Sequence, residues 1–115
     1  MTSTPSFESV KLAYARIKDK VKHTPIVEST LLNQWMGQRI LFKAECLQTI
    51  GAFKIRGAMN FLARLQEEGR LPKHVVANSS GNHAQAVAYA AAHFGVSATI
   101  FASETISPIK AAATQ

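Results

Sequence analysis

The stretch "HVVANSSGNHAQAVAYAAAHFG", residues 74–95, constrains the fold of this chain more than any other. "HVVAN" is a short apolar run without alternation, which is typical of a strand buried on both faces of a parallel sheet. "SSGN" predicts a loop, and the alanine-rich segment after it predicts a closely packed helix that ends at Gly95. A buried strand joined directly to a helix predicts an α/β fold.

Three longer helices are predicted from apolar or small residues that share one helical face. The N-terminal helix has Phe7, Val10, Tyr14, Ile17 and Val21 on its face. The helix that begins in "GAFKIRGA" has Ala58, Phe61, Leu62 and Leu65 on its face and is stopped by Gly69 and Pro72. The helix after "SSGN" is predicted to pack through Ala84, Ala88, Ala91 and Ala92.

Shorter elements complete the prediction. "LLNQWM" predicts a short helix closed by Gly37, "RILFKAE" and "SATIFAS" predict strands, and a last helix is predicted after Ser107 as N-cap, with Pro108 in its first turn. This order predicts an open parallel sheet of roughly three or four strands with helices on both faces. Such a sheet would keep long edges and uncovered faces, so we expect the sequence to be a truncated form of the fold.

Charge and composition narrow the possible partners. The net charge is +6, from 13 basic and 7 acidic residues, but only "KDKVK" at 18–22 forms a cluster, which is typical of a solvated helix end. We therefore expect no nucleic-acid partner, and a small anionic ligand suits the charge. No run of about 18 apolar residues is present and the N-terminus has no apolar signal core, so no membrane association is expected.

Cysteine and histidine usage gives two further expectations. Cys46 is the only cysteine, which excludes an internal disulfide and fits a reducing, cytoplasmic location. The histidines and Cys46 show no metal-ligand spacing, so no metal site is predicted.

The loop "SSGN" predicts an anion site. It joins a strand to a helix, where unpaired backbone N–H groups and the helix dipole favour a carboxylate or phosphate. Gly81 permits close approach of a ligand, Asn82 can donate and accept hydrogen bonds, and Ser79 and Ser80 add hydroxyls. The alternative is that Ser79 or Asn82 only caps the helix.

Lys54 in "GAFKIRGA" is a candidate nucleophile. A cation at a helix start is disfavoured by the helix dipole, and the positive charge of neighbouring Arg56 would favour the neutral amine. Phe53 can provide apolar cover, and the small residues around it leave room for a bulky group. A lysine in such a place suits Schiff-base chemistry. The alternative is a solvated surface lysine.

Together these segments resemble one enzyme family. "GAFKIRGA" followed by "NSSGNHAQAVAYAA", with "HTPI" upstream and "FKAECLQT" between, resembles the threonine dehydratase and serine racemase branch of the fold type II pyridoxal-phosphate enzymes, which share the tryptophan synthase β-like fold. The resemblance covers residues 23–113, and the two main motifs in this order and spacing are highly specific.

The resemblance implies a role for each motif residue. Lys54 would hold pyridoxal phosphate as a Schiff base, Phe53 would pack against the cofactor ring, and Asn82 would hydrogen-bond its phenolic oxygen. Arg56 and Gly57 would fix the helix start. The substrate carboxylate would be gripped, largely through backbone N–H groups, by Ser79, Ser80, Gly81, Asn82 and His83.

The implied reaction is β-elimination, in which threonine or serine gives a 2-oxo acid and ammonia. Racemisation is the alternative within the family, with Ser80 as the second base on the face opposite Lys54. An alternative of another class is a truncated, non-catalytic fragment. A small amino acid is the expected substrate, and the full-length enzyme is expected to be a homodimer.

The resemblance also implies a domain organisation. Relatives run to roughly two or three times this length, as two domains. Residues 1–70 would be the N-terminal part of the large cofactor domain, and residues 71–115 would begin the small substrate-loop domain. The glycine-rich phosphate cup of relatives lies beyond residue 115, so this chain is expected to carry the lysine and the substrate loop without the phosphate site and to be inactive alone.

Overall fold

Five α-helices and four short strands make up the part of the protein that the structure describes. The computed structural model describes residues 4–103, 108–112 and 114. The elements are α1 (Phe7–Ile17), β1 (Ile26–Glu28), α2 (Thr30–Met36), β2 (Leu41–Lys43), α3 (Lys54–Glu67), β3 (His74–Asn78), α4 (Asn82–Phe94), β4 (Ser97–Phe101) and α5 (Pro108–Ala112), with one 3-10 turn at Glu45–Leu47. The predicted N-cap Ser107 lies outside the described residues.

The predicted α/β class is confirmed, and its centre is the β3–α4–β4 unit. β3 and β4 pair in parallel, in a register that runs from His74 opposite Ser97 to Asn78 opposite Phe101. Helix α4 connects the two strands and packs against them. Gly95 ends α4 in the left-handed conformation, as the sequence predicted.

The prediction that the strand in "RILFKAE" joins this parallel sheet is wrong. β2 pairs antiparallel with β1 in a separate two-stranded sheet, with Ile26 opposite Lys43. The short helix α2 between them is capped by Ser29 and closed by Gly37 at φ 64°, which turns the chain back on itself. The connection between the two strands is residues 29–40 and includes a helix, so its length alone allows either pairing and does not decide the direction.

Strand β3 is not buried on both faces, contrary to its apolar pattern. Ala77 is buried on the face that carries α4, whereas Val76 on the other face is 63% exposed. The apolar run therefore correctly predicted a strand, but the prediction that both faces of this strand are buried is wrong within the described structure.

The main core lies where α1, α3 and α4 meet. It consists of buried Ile17, Ile55, Met59, Leu62 and Ala90. The predicted face of α3 is correct at Leu62 but wrong at Phe61, which is 60% exposed. In α4, Ala84 and Ala91 are buried as predicted, Ala92 is exposed, and Ala86 and Ala90 complete the packed face.

This core draws on both sides of the predicted domain boundary at residue 70, because α3 packs along α4. The boundary itself stays a prediction. Of the helices described, none is both long enough and apolar enough to cross a bilayer.

Candidate functional site

Lys54 is the first residue of α3, as the sequence predicted. The turn before it is closed by a hydrogen bond from the Gly51 N–H to the Gln48 carbonyl, 2.7 Å long, with Gly51 at φ 68°. Glycine suits this turn because residues with a Cβ are strained at positive φ. The helix has no side-chain N-cap: Phe53 occupies the capping position and makes no capping hydrogen bond.

The Lys54 amine is solvent-exposed and lies against an aromatic ring. Its Nζ is 5.0 Å from the centroid of the Phe53 ring, at cation–π distance. Among the residues that the structure describes, no carboxylate forms an ion pair with Lys54. The amine is therefore open to a ligand, with an apolar ring beside it.

The sequence suggested that Arg56 is a free cation beside Lys54, but in the structure Arg56 is paired with Glu45. Its Nε and Nη2 donate to the two carboxylate oxygens of Glu45, at 2.8 and 2.7 Å. Nη2 also lies 3.3 Å from the Lys22 carbonyl. The Thr24 hydroxyl donates to Glu45, and Thr24 itself is only 2% exposed.

The Glu45 carboxylate is held strongly in its charged form. Its pKa is lowered to about 2, first by the hydrogen bonds from Arg56, against the opposing effect of burial, and then by the Thr24 hydroxyl and the nearby charge of Lys43. The same hydrogen bonds raise the pKa of Arg56 further. The pair is thus ionised at any ordinary pH.

Gln48 extends this polar cluster towards the N-terminal segment. Its side-chain amide donates to the Lys22 carbonyl and accepts from the Lys22 N–H, both at 2.9 Å. Sequence reasoning missed Glu45, Gln48 and Thr24 as contributors to the site. The sequence gives no local signal for this cluster, because its residues meet only when the chain folds back before α3.

The loop between β3 and α4 leaves the helix start uncapped. Gly81 is extended and no side chain caps α4, so the structure does not show the capping role considered for Ser79 or Asn82. Instead, the Ser79 hydroxyl accepts from the Gly81 N–H at 3.2 Å. Because the first N–H groups of a helix have no partner inside the helix, this end can receive an anion. Ser80 is exposed on the loop, and Asn82 and His83 are exposed in the first turn of α4.

An apolar pocket of about 500 Å³ connects the two motifs. Its lining combines the first turns of α3, the end of β3 and the start of α4: Gly57, Ala58, Phe61, Leu62, Val75, Val76, Ala77, Asn78, His83, Val87 and Ala90. Of the predicted site residues, His83 lines this pocket, and Phe53, Lys54, Ser79, Ser80, Gly81 and Asn82 do not. The fold therefore brings the beginnings of α3 and α4 to one surface, with Lys54 one turn before Gly57.

The features gathered at this surface are those that an aldehyde cofactor and an anionic ligand would require. They combine an open lysine amine, an aromatic ring and an uncapped helix start on an α/β fold. Within the described ranges, no group of three histidine, cysteine, aspartate or glutamate side chains could hold a metal ion.

Comparison with known proteins gives the family. Residues 17–115 match the family described as "Pyridoxal-phosphate dependent enzyme". The chain belongs to this family, whose members depend on pyridoxal phosphate, and its fold is that of the fold type II enzymes.

Its relatives differ in activity. The chain is 47% identical over 110 residues to L-threo-3-hydroxyaspartate ammonia-lyase of Saccharomyces cerevisiae, with 96% of this chain and 33% of the relative covered. It is 43% identical over 112 residues to serine racemase of Homo sapiens, with the same coverage. The solved structure of serine racemase from Dictyostelium discoideum matches with a TM-score of 0.87 and 37% identity, over 97% of this chain and 36% of that one.

These matches fix how much of a relative the chain represents. It spans about a third of the length of the curated relatives it matches. The residues present fit one part of the cofactor, its aldehyde, because Lys54 offers an amine that no described carboxylate engages.

Proposed function

We propose that this chain carries the cofactor lysine and the substrate loop of a pyridoxal-phosphate-dependent lyase that deaminates threonine or serine. The observation that carries the proposal is the placement of Lys54. It begins a helix without a side-chain cap and forms no ion pair with the described carboxylates. The first turns of this helix share a pocket with the start of α4. Small hydroxy amino acids fit, since the relatives include ammonia-lyases for hydroxyaspartate and threonine.

Each residue would have a distinct task. Lys54 would hold the cofactor aldehyde, with the Phe53 ring against the cofactor and the Asn82 amide on its phenolic oxygen. Ser79, Ser80, Gly81, Asn82 and His83 form the segment that would grip the substrate carboxylate through backbone N–H groups at the start of α4.

Proton transfer would fall to Lys54. Pyridoxal phosphate, when bound, supplies an electron sink for the negative charge that develops at the substrate α-carbon. The Lys54 amine would be the base that takes the α-proton. Loss of the β-hydroxyl as water, followed by hydrolysis of the released enamine, gives a 2-oxo acid and ammonia.

Racemisation is the second candidate, and the exposed hydroxyl of Ser80 favours it. A racemase needs a base on each face of the α-carbon, and Ser80 lies on the loop that would hold the substrate. The 43% identity to human serine racemase supports this reading as well as the yeast ammonia-lyase supports elimination.

The whole enzyme is proposed to act in the cytoplasm as a homodimer on a small amino acid. Residues 1–70 would belong to its large cofactor domain and residues 71–115 to its small domain, with the phosphate-binding residues supplied outside this segment. A non-catalytic role for the chain alone is the remaining alternative of another class.

A chimera tests the proposal. Residues 1–115 would replace the matching third of human serine racemase, and formation of 2-oxo acid and of D-serine would be measured from L-serine and L-threonine. Lys54→Ala should abolish both activities and the visible absorbance of bound cofactor. The control is Lys73→Ala at the exposed residue before β3, which should change neither. Elimination at the parental rate in Lys54→Ala would refute the assignment.

A further inference from the structure

We propose that the ion pair between Glu45 and Arg56 is a positioning device for Lys54, which sets the orientation of its amine for the cofactor aldehyde. This inference rests on the proposed role of Lys54. It concerns two residues that would touch neither cofactor nor substrate, and that act through the helix start on which Lys54 sits.

The first reason is the position of Arg56 in the helix. It lies two residues after Lys54, in the first turn of a helix that has no side-chain cap. Uncapped first turns fray, because their N–H groups lack partners inside the helix. The ion pair of Arg56 with Glu45, here called the tether, connects this turn to the preceding segment and therefore helps to hold the Lys54 backbone in place.

The second reason is the geometry of the tether. Arg56 reaches Glu45 through two hydrogen bonds of 2.8 and 2.7 Å, and Arg56 Nη2 lies 3.4 Å from the Thr24 hydroxyl oxygen. A planar guanidinium bonded at two points to a carboxylate fixes direction as well as distance. The neighbouring Ile55 is fully buried and also holds this turn by packing, and the ion pair adds a directional constraint on the polar side of the turn.

The third reason is that the other end of the tether is itself anchored. Glu45 lies in the 3-10 turn before the helix, and Thr24, which donates to it, is almost fully buried. Gln48 connects Lys22 to the same turn through its side chain, and its carbonyl accepts from Gly51. A continuous set of hydrogen bonds thus runs from the segment before β1 to the residues beside Lys54.

The fourth reason is charge. Arg56 would be an unfavourable cation at a helix start, and pairing with Glu45 compensates it. Of the two cations in this turn, Lys54 is the one that no described carboxylate pairs with. The Lys54 amine is thus without a carboxylate partner among the described residues, whereas the guanidinium of Arg56 in the same turn is held by Glu45.

The experiment measures the reactivity of Lys54 in the 115-residue chain. The chain is treated with pyridoxal phosphate across a range of pH, reduced with borohydride, and mapped by peptide mass spectrometry, so that labelling of Lys54 is compared with labelling of Lys73 in the same sample. Glu45→Gln and Arg56→Lys are the test variants. Glu28→Gln is the matched control, because Glu28 forms the same kind of two-point pair with Arg39 on an exposed surface.

The expected result is a fall of about tenfold in the ratio of Lys54 to Lys73 labelling in both test variants, with a changed pH profile, and no change in Glu28→Gln. Circular dichroism defines the conditions in which each variant is folded. Arg56→Lys keeps the charge while losing the two-point geometry, so it provides the test if Glu45→Gln unfolds. Unchanged labelling of Lys54 in either folded variant would overturn the inference.

The parent chain separates the two levels of the proposal. If Lys54 in the parent is labelled faster than Lys73, the proposed role of Lys54 is supported whatever the variants show. If it is not, the positioning role fails, whereas the cofactor role is decided separately by Lys54→Ala in the chimera. Preferential labelling that persists unchanged in the variants removes the positioning role alone.

Discussion

The guanidinium of Arg56 and the carboxylate of Glu45 meet through two hydrogen bonds, two residues beyond Lys54 in the sequence. The Glu45 side chain is 16% exposed and that of Arg56 25% exposed, so water only partly screens the pair. The pair connects the turn before α3 with its first turn. The pair is therefore expected both to stabilise the fold and to hold the helix start that carries Lys54.

Acid should weaken the fold through Glu45. Its pKa in the folded protein is about 2, against an ordinary value of 4.5, because Arg56 stabilises the carboxylate. A lowered pKa contributes stability that is complete above the ordinary value and is lost as the pH falls towards about 2. The shift corresponds to about 3 kcal/mol of unfolding free energy. Urea unfolding of the parent and Glu45→Gln at pH 7 should show this difference.

The same comparison at low pH provides the check. Near pH 2 most of this difference should be gone, because the parent carboxylate is then about half protonated in the folded protein and almost fully protonated in the unfolded one. Glu28→Gln should cost much less at pH 7, since the pair of Glu28 with Arg39 is solvent-exposed. A stability difference between the parent and Glu45→Gln that stays constant from pH 7 to pH 2 would contradict the assignment.

Substitution of Met59 should destabilise the protein more than substitution of Phe61, although phenylalanine is the larger residue. Met59 is fully buried in the core between α1, α3 and α4, so Met59→Ala should cost about 2–5 kcal/mol. Phe61→Ala, two residues along the same helix, removes a side chain that is mostly exposed and should cost less than about 1 kcal/mol. Thermal unfolding of both variants tests this prediction. A larger loss of stability in Phe61→Ala would contradict the assignment of Met59, rather than Phe61, to the buried face of α3.

Local signals in the sequence were sufficient for the elements of the fold. The glycines that end α2 and α4, the helix start at Lys54 and the strand "HVVAN" were all predicted, because each depends on neighbouring residues alone. The pairing of β2 with β1 was predicted wrongly, because a strand of three residues carries no information about its partner.

Burial and the polar cluster could not be read in the same way. The buried face of α3 is set by the angle at which α1 and α4 cross it, so Met59 and Ile55 are inside while Phe61 remains exposed. The Glu45 cluster joins residues 22, 24, 45, 48 and 56, and this closeness arises only when the chain folds back before α3. The roles of the loop residues 79–83 stay predictions.

The 115-residue chain alone should form no 2-oxo acid from threonine or serine. Large apolar side chains such as Phe7, Trp35 and Phe101 are exposed, and surfaces of this kind favour association in water. The chain also spans only about a third of the relatives it matches. A coupled assay for the 2-oxo acid and light scattering should show no turnover and concentration-dependent association. Turnover by a monodisperse preparation would contradict the expectation.

Ser80 should separate racemisation from elimination. In the chimera with human serine racemase, Ser80→Ala removes the one hydroxyl proposed as the second base, whereas Lys54 and the backbone N–H groups at the start of α4 remain. Chiral chromatography of L-serine reactions should therefore show loss of D-serine, with 2-oxo acid formation largely kept. Ser97→Ala is the matched control, because Ser97 is an exposed serine at the start of β4, outside the proposed site. Inversion at the α-carbon requires a base on each face, so removal of the second base should stop it. Racemisation at the parental rate in Ser80→Ala would therefore show that Ser80 is not that base.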